Sequence, residues 1–242
     1  MTVRKVPTVE FPTINNALLV SQPYDTIRVG EGNFPETLEI IIKGLRLIGA
    51  GKGKTIINGQ DLGVTNGITI NNELVTIENL TVQNFKGAGI YVNMDENIIH
   101  KVMAINNEIG IDIADGNRNM VFKCEINENV GEGLISRSIL NKIMHSKMIG
   151  NQANGLLVES QIQNNLIYCC LAQKNKQDGF HVLGNECYFI SNTAKQNGFN
   201  GFNVTDSLEN FYIFNKAIEN NGNGFVVDLE STLFENISKK MV

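Results

Sequence analysis

The sequence predicts an all-β solenoid, in which the chain winds through successive coils of about 22 residues. Three observations predict it: a repeated glycine motif, an alternation of apolar residues after each glycine, and a column of asparagines before it. The motif is a glycine, a large apolar residue, any residue and usually a second apolar residue. It begins at Gly67, Gly89, Gly110, Gly133, Gly155, Gly179, Gly201 and Gly224. So regular a spacing is typical of repeat proteins, in which each unit stacks on its neighbours.

Composition limits the classes of function. The chain has 242 residues, of which 42% are hydrophobic and 19% charged, a balance typical of a folded protein rather than a disordered one. Its net charge of −5 argues against a nucleic-acid partner, because such partners need a clustered basic surface. No run of about 18 apolar residues occurs, so we expect no membrane span. The oligomeric state is left open.

The amino-terminal residues and the cysteines bear on the compartment. Met1–Lys5 lead into Val-Pro-Thr rather than an apolar stretch, so we expect no secretory signal peptide. The four cysteines show no CxxC spacing and are expected to be reduced, small buried residues. We therefore expect a cytoplasmic protein, or one that is exported by a non-classical route or assembled on a spore or virion surface.

The chain is predicted to form one domain over residues 1–242. Residues 1–24 form the amino-terminal cap and residues 25–230 form the coils. Residues 231–242 are too few for a further coil and are expected to shield the final edge, which would otherwise pair with another chain.

A short amphipathic helix is predicted within the cap. Phe11, Ile14 and Leu18 share one helical face, and the helix is expected to start near Pro12 or Thr13 and to end before Pro23. This helix is the first element of the predicted fold.

Short strands follow the cap. They are predicted at Thr26–Gly30, Leu38–Ile40 and Leu45–Gly49, with a turn at Gly30–Asn33. The glycine-rich segment Gly49–Lys54 contains lysine, as phosphate-binding loops do. However, a phosphate loop requires a helix after the lysine, whereas this segment runs into a further strand pattern. We favour a turn between strands and leave open whether the segment has another role.

The repeat arranges its apolar residues in columns. Residues one and three places after each glycine share a strand face and are expected to fill the core, with an aromatic stack of Phe180, Phe202 and Phe225. A second inward column stands seven residues before the glycine. Its members are Val82, Met103, Ile126, Met148, Ala172, Ala194 and Ala217.

Polar columns are predicted at the turns. Nine residues before the glycine stand Cys124, Ser146, Cys170, Asn192 and Asn215. Four residues before it stand Asn106, Asn129, Asn151, Asn175, Asn197 and Asn220. Because asparagine tolerates left-handed backbone angles and bonds to nearby main chain, we interpret the second column as a structural ladder at a turn. The glycine itself is expected to allow a turn. With about 4.8 Å per strand, eight or nine coils would make a rod about 40 Å long.

The opening of the chain resembles a known superfamily. The motifs are Pro-Thr-Ile-Asn-Asn-Ala at 12–17, Tyr-Asp-Thr-Ile-Arg-Val-Gly-Glu-Gly-Asn-Phe-Pro-Glu at 24–36, and Thr-Ile-Ile-Asn-Gly at 55–59. They are similar to the start of right-handed parallel β-helix proteins of the pectin-lyase-like superfamily, especially the NosD-like carbohydrate-binding and sugar-hydrolase repeats. The resemblance is specific over residues 12–59 and generic over residues 60–230. It implies three parallel sheets, a helix that caps the first coil, and a functional site on the outer face of one sheet.

The outward residues of the repeat are therefore the candidate site. They stand two and four places after each glycine. The polar members are Tyr91, Asn93, Asp112, Arg137, Glu159, His181, Asn203 and Thr205. Tyr91 is expected to stack against a sugar, and the charged residues to contact its hydroxyls. Together these outward polar residues would form a sugar-binding strip. Ile135, Leu157 and Leu183 interrupt this strip. A cross-strand ion pair of Arg137 with Glu159 on a solvated face is the interpretation that we favour, and the sugar-binding strip is the alternative.

Asp112, Arg137, Glu159 and His181 are the candidate catalytic residues. The catalytic sequence patterns that the resemblance implies for polygalacturonases, pectate lyases and pectin methylesterases are absent. Asp112 and Glu159 lie two coils apart, roughly 10 Å by strand spacing, which is the upper limit for an inverting pair of carboxylates. His181 is a candidate general base, although the sequence places no carboxylate to orient it.

Two functions of different classes follow. The sequence favours a non-catalytic β-helix scaffold or carbohydrate-binding protein, because no acid–base set is recognisable. The alternative is a polysaccharide lyase or glycoside hydrolase that acts on the outer face of one sheet. We expect no cofactor, although Asp112 and Asp115 together with Asp95 and Glu96 could supply oxygen ligands to calcium.

Overall fold

The computed structural model describes residues 1–205 and 207–240, which form one short helix and 30 short strands. The helix is α1 (Ile14–Leu19). The first ten strands are β1 (Val3–Val6), β2 (Thr26–Val29), β3 (Gly32–Phe34), β4 (Leu38–Ile40), β5 (Arg46–Ile48), β6 (Thr55–Asn58), β7 (Ile68–Ile70), β8 (Thr76–Glu78), β9 (Thr81–Gln83) and β10 (Ala88–Val92). The next ten are β11 (Ile98–His100), β12 (Met103–Ile105), β13 (Ile109–Ile113), β14 (Met120–Phe122), β15 (Glu125–Asn127), β16 (Leu134–Ser136), β17 (Lys142–Met144), β18 (Lys147–Ile149), β19 (Leu156–Val158) and β20 (Leu166–Tyr168). The last ten are β21 (Leu171–Gln173), β22 (Phe180–Val182), β23 (Tyr188–Ile190), β24 (Thr193–Lys195), β25 (Phe202–Val204), β26 (Phe211–Ile213), β27 (Lys216–Ile218), β28 (Phe225–Val226), β29 (Thr232–Phe234) and β30 (Ile237–Lys239).

From β2 onwards, each strand pairs in parallel with the strand three places further along the chain, which confirms the parallel β-helix with three sheets. Sheet A contains 11 strands: β1, β2 and then every third strand from β5 to β29. Sheet B contains 10 strands from β3 to β30, and sheet C contains nine from β4 to β28. The expected number of eight or nine coils was too low, because it left out β1 at one end and β29 and β30 at the other.

The core is built from the predicted inward columns. Residues one and three places after the repeated glycines are buried in the coils from β7 to β25. The predicted aromatic stack is confirmed: the ring centroids of Phe180 and Phe202 are 4.8 Å apart, as are those of Phe202 and Phe225. A second stack, of Phe189 on Tyr212 in sheet A, meets the first edge-on, with the Phe180 and Phe189 rings 6.1 Å apart. The alanines of sheet B complete the interior of these coils.

A hydrogen-bonded ladder runs along each of the three corners of the coil. Where a ladder residue is an asparagine or a serine, its side-chain oxygen accepts the backbone N–H of the equivalent residue one coil earlier. The ladder between sheets B and C contains Asn107, Asn129, Asn151, Asn175, Asn197 and Asn220. The ladder between sheets A and B contains Cys124, Ser146, Cys170, Asn192, Asn215 and Asn236. The ladder between sheets C and A contains Asn97, Asn119, Asn141, Asn165, Cys187 and Asn210.

The coil that ends at Gly110 departs from the predicted register. Asn107 rather than Asn106 joins the ladder, and Ala104 rather than Met103 points into the core. The step from Gly89 to Gly110 is 21 residues, one fewer than the preceding step from Gly67 to Gly89, and the missing residue lies between the ladder and the glycine. Counting back from the glycine therefore selected the wrong residue in both columns.

The left-handed residues of the corners are not the ladder asparagines, as was expected, but the residues directly before them. Glu128, Lys174 and Gln196 have φ angles of about +55° and precede Asn129, Asn175 and Asn197. The left-handed residue turns the chain, and the next side chain can then point inward to bond between coils.

The repeated glycines do not supply the turn, contrary to expectation, because none of them has a left-handed φ. They are required because coils approach closely at these positions. A Cβ at Gly201 would lie 2.6 Å from the carbonyl oxygen of Gly224 and 2.9 Å from both the Ala217 Cβ and the Asn220 Nδ2. The glycine motif and the asparagine ladder are therefore two parts of one packing arrangement.

The amino-terminal cap contains the predicted helix and a strand that was not predicted. Thr13 caps α1 by accepting the backbone N–H of Asn16, and the helix buries Ile14 against the first coil. The unpredicted strand β1 extends sheet A beyond β2. The predicted turn at Gly30–Asn33 was wrong in part, because residues 32–34 form β3, which pairs with β6.

The charge of Asp25 anchors β1 to the first coil. Its buried carboxylate accepts the backbone N–H groups of Gln22 and Thr2 and a hydrogen bond from Arg4. These interactions, that with Gln22 first, hold the pKa of Asp25 well below its usual range. The anchor is therefore ionised at neutral pH.

At the carboxy-terminal end, β29 and β30 pair with sheets A and B. Leu233, Phe234 and Ile237 in these strands are about half exposed. Residues 231–240 thus continue the coil by two strands, and residues 241 and 242 lie outside the described residues.

The Gly49–Lys54 segment joins β5 to β6, as expected for the turn between strands that the sequence favours. Lys52 pairs with Glu125 and Lys54 pairs with Glu31, so both lysines already contact carboxylates. All four cysteines are free thiols, and Cys124, Cys170 and Cys187 are buried.

Asn151→Ala is expected to destabilise the fold by about 3 kcal/mol, because it leaves buried backbone groups of Asn129 and Ile126 without partners. The exposed neighbour provides the control: Gln152→Ala is expected to change the free energy of unfolding by less than about 0.5 kcal/mol. Urea unfolding measures both. Equal effects of the two substitutions would contradict a structural role for the ladder.

Gly201→Ala is expected to cost about 2–3 kcal/mol through overpacking between coils. Gly30→Ala is the matched control, since its Cβ would have no neighbour closer than 3.4 Å. Thermal unfolding distinguishes the two variants. Comparable losses at both positions would show that close approach of the coils does not explain why glycine recurs at this position of the repeat.

Candidate functional site

The predicted site residues lie on the outer face of sheet C. Successive strands place Thr69, Tyr91 and Asp112 in one pairing register, followed by Ile135, Leu157, His181 and Asn203. Their neighbours in each strand point into the core, so the pleat of the sheet directs these side chains outward. In this register Ile135 and Leu157 stand between Asp112 and His181. The structure groups the polar side chains into two clusters.

The first cluster is centred on Arg137. Its Nε donates to Asp112 Oδ1 at 3.0 Å, and its Nη1 donates to Glu159 Oε1. The predicted cross-strand pair of Arg137 with Glu159 is therefore present, and Asp112 joins it from the preceding coil. The Asp112 side chain is only 7% exposed, whereas those of Arg137 and Glu159 are about one-third exposed. A ligand can therefore reach Arg137 and Glu159, while Asp112 holds Arg137 in place.

Burial and the neighbouring charges shift the pKa values of Asp112 and Arg137 in opposite directions. Burial raises the pKa of Asp112, although its hydrogen bond to Arg137 lowers it in part. Burial also disfavours the charged form of Arg137, but the hydrogen bond and charge of Asp112 and the charge of Glu159 outweigh it and raise the pKa of Arg137. Arg137 therefore remains a cation.

The second cluster joins His181 and Asn203 through Asp178. The His181 Nδ1 lies 3.0 Å from Asp178 Oδ2, and the same oxygen accepts a hydrogen bond from Asn203 Nδ2 at 2.7 Å. The backbone N–H of Asn200 binds the other carboxylate oxygen. Burial raises the pKa of Asp178, but the hydrogen bonds from His181, Asn203 and Asn200 outweigh it and leave the pKa lowered.

Asp178 was not predicted, and the expectation that no carboxylate orients His181 was wrong. A signal for it was present in the sequence, because the residue directly before each of the later glycines is polar. These residues are Asn154, Asp178, Asn200 and Asn223. They form an outer ladder in which the side-chain oxygens of Asn154, Asp178 and Asn200 each accept the backbone N–H of the next member. Asp178 replaces an asparagine in this ladder and so brings a buried charge beside His181.

Tyr91 and Asn93 lie nearer the amino-terminal end of the face, and both are partly exposed. Asn93 Nδ2 donates to Asn71 Oδ1 at 2.7 Å, and Asn71 Nδ2 donates to Glu39 Oε1 at 2.9 Å. This relay fixes the amide of Asn93 and connects it to β4. Thr205, the remaining polar member, follows β25 and is partly exposed.

The apolar residues between the clusters differ in accessibility. Ile135 is only 3% exposed, whereas Leu157 and Leu183 are partly exposed. The surface between Arg137 and His181 is therefore partly apolar, which suits the face of a sugar ring as well as the surface of a protein.

The residues considered for calcium are not assembled into a site. In residues 1–205 and 207–240, no group of three or more His, Cys, Asp or Glu side chains could hold a metal ion. Asp95 and Glu96 instead form ion pairs with Arg118, and Asp115 is exposed.

His100 and His145 lie on the outer side of sheet A, apart from the site. His100 stacks on Phe122 at 5.2 Å, and His145 meets both Phe122 and Tyr168 edge-on. They belong to an aromatic column along that side of the rod.

Comparisons with known proteins identify the fold. A family model described as "Right handed beta helix region" matches residues 47–194. A pectate lyase structure aligns with a TM-score of 0.69 and 13% identity, covering 98% of this chain and 79% of that one. The A-module of a mannuronan C-5 epimerase from Azotobacter vinelandii aligns with a TM-score of 0.66 and 14% identity, covering 95% and 94%. A tailspike protein from an Escherichia coli bacteriophage aligns with a TM-score of 0.65 and 12% identity, covering 87% and 34%.

Identities this low show a shared fold alone. The chain has no match among curated protein sequences. None of the helical segments in the described residues has the length and apolar character needed to cross a bilayer.

Arg137→Ala is expected to destabilise the protein by about 2 kcal/mol at pH 7, because Asp112 would remain buried without its cation. The pKa of Asp112 in the folded state would rise further above its unfolded value. A raised carboxylate pKa favours the folded state below the unfolded pKa, and that advantage is lost as pH rises through the folded pKa. The deficit relative to wild type should therefore shrink at pH 4, as measured by urea unfolding at both pH values. A deficit that is larger at pH 4 would contradict this role.

Proposed function

The chain belongs to the right-handed beta-helix family, and on that basis we propose that it binds a polysaccharide along the outer face of sheet C without cleaving it. The observation that carries the proposal is that the outward polar side chains hold one another in place. Asp112 positions Arg137, and Asp178 positions both His181 and Asn203. Groups fixed in this way lose little conformational entropy when a ligand binds, which favours recognition of many weakly binding hydroxyls.

The charge balance favours a neutral polysaccharide. Arg137 is shared between two carboxylates, and His181 lies beside a third. The face thus carries no unpaired cation in these clusters. An acidic polysaccharide would bring further carboxylates to a surface already rich in them, and like charges in contact oppose binding.

The same contacts argue against turnover. Arg137 cannot act as a base while its pKa is raised by two carboxylates. Asp178 has a lowered pKa and is a poor proton donor, while the buried Asp112 has little surface from which to reach a ligand. The groups that a ligand can touch are suited to hydrogen bonding rather than to paired acid–base work.

A glycoside hydrolase is the second candidate. It is favoured by the raised pKa of Asp112, as expected for a general acid, and by the His181–Asp178 pair, in which the carboxylate orients the imidazole. The names of two structural neighbours, a pectate lyase and a mannuronan C-5 epimerase, describe enzymes of polysaccharides and support both candidates equally.

Tyr91→Ala is expected to weaken binding of a neutral polysaccharide about tenfold, because a sugar ring loses its stacking partner. Tyr188→Ala is the matched control, since Tyr188 is 39% exposed on the outer face of sheet A. Affinity electrophoresis against neutral and acidic polysaccharides, with and without calcium, measures the change.

The same panel tests cleavage through the release of reducing ends or unsaturated products. No product is expected from any polysaccharide. Product formation that is abolished by Glu159→Gln would overturn the non-catalytic proposal and favour the hydrolase. If neither the wild-type protein nor the Tyr188→Ala control binds any polysaccharide, the binding proposal fails and a purely structural scaffold remains.

A further inference from the structure

A cleft of about 840 Å³ lies at the amino-terminal end of the sheet C face. One wall is formed by Leu18 and Leu19 of α1, and the opposite side by residues of β4 and the loop that precedes β7. Its volume is within the range of about 300–1,000 Å³ typical of sites for small molecules. It is large enough for a sugar unit together with a substituent.

The floor of the cleft continues the polar strip. Glu39 and Thr69 line the cleft, and they pair in register with each other and then with Tyr91 of the strip. The hydrogen-bonded relay through Asn71 connects Glu39 with Asn93. A glycan that lies along the strip over Tyr91 would therefore reach the cleft without crossing a break in the face.

The cleft differs from the strip in having apolar side chains on both of its sides. Leu19 and Ile41 line it with exposures of 83% and 64%, and Ile42 lies beside them. Neither Leu19 nor Ile41 contributes to the core. Two exposed aliphatic side chains facing one cleft gain free energy when an apolar group removes them from water, at about 25 cal/mol per Å².

The cleft also carries polar groups. The Glu39 and Thr69 side chains line it beside the apolar residues, and both are at least partly exposed. The cleft thus offers apolar contact and hydrogen bonding side by side.

The helix sets the direction of the ligand. α1 contacts β1, β2 and β4, and covers the first coil at the end where sheet C begins. Because β4 is the first strand of sheet C, a polysaccharide that lies along the strip meets α1 at the end of this face. The sugar unit in the cleft would then be the end of the polysaccharide.

We propose that this cleft binds the terminal sugar of the glycan and that this sugar carries an apolar substituent, such as an acyl or alkyl group. This inference rests on the proposed binding of a polysaccharide by the strip and specifies the chemistry of its end. Leu19 and Ile41 contact the substituent, while Glu39 and Thr69 take the sugar hydroxyls.

The test compares two probes that differ only in their apolar group: octyl β-D-glucoside, kept below its micellar concentration, and methyl β-D-glucoside. Methyl-labelled protein is titrated with each and followed by NMR. Octyl glucoside is expected to bind at least tenfold more tightly and to shift the methyl signals of Leu18, Leu19, Ile41 and Ile42. Equal affinity for the two probes, or shifts confined to other parts of the rod, would overturn the proposal.

Substitutions test whether the apolar side chains of the cleft cause the tighter binding of octyl glucoside. Leu19→Ser and Ile41→Ser are expected to reduce octyl glucoside binding at least fivefold while leaving stability unchanged, since both residues are exposed. Val9→Ser, which replaces another fully exposed apolar residue outside the cleft, is the control and should have no effect. Loss of binding in the control, or none in the cleft variants, would refute the assignment.

The two proposals fail separately in these experiments. If polysaccharide binding depends on Tyr91 but the two glucosides bind alike, the cleft proposal is wrong and the strip proposal stands. If octyl glucoside binds in the cleft but no polysaccharide binds the protein, the strip proposal is wrong and the cleft remains a site for an amphipathic saccharide.

Discussion

The fold depends on the buried hydrogen bond between an inward side chain of one coil and the backbone of the preceding coil. At each corner the chain leaves one sheet before it enters the next, so its N–H groups have no strand to pair with. Asn151 shows the solution: its Oδ1 accepts the N–H of Asn129 and its Nδ2 donates to the carbonyl of Ile126. Three such ladders satisfy buried backbone that would otherwise carry a large free-energy cost.

The ladders also explain why the rod can present a rigid face. Because the amides occupy the space beside the repeated glycines, coils stack at one fixed distance and register. Outward residues on neighbouring strands then meet at close range, as Arg137 meets Asp112 and Glu159. Asp178 belongs to a fourth, outer ladder and orients His181 as a consequence of that position. The arrangement of the candidate site is therefore inherited from the packing of the coils.

Much of this could be predicted from the repeat, because each column of the solenoid returns at a fixed sequence distance. The stack of Phe180, Phe202 and Phe225 and the pairing of Arg137 with Glu159 followed from spacing alone. The prediction failed where spacing changes locally, as at Asn106 and Met103 in the shortened coil. It also failed where a contact arises between columns, since His181 and Asp178 stand in different columns. The cleft beside α1 lies outside the repeat, and no periodic signal predicts it.

Hydrogen exchange of the ladder amides tests the central claim most directly. The backbone N–H groups of Asn129, Asn151 and Asn175 belong to turns in the chain, yet each bonds to a buried side chain of the next coil. If the ladders hold the coils together, these amides should exchange only through global unfolding, with the free energy measured by denaturant. Exchange at the rate of surface turns, while the amides of the neighbouring strands stay protected, would contradict the account.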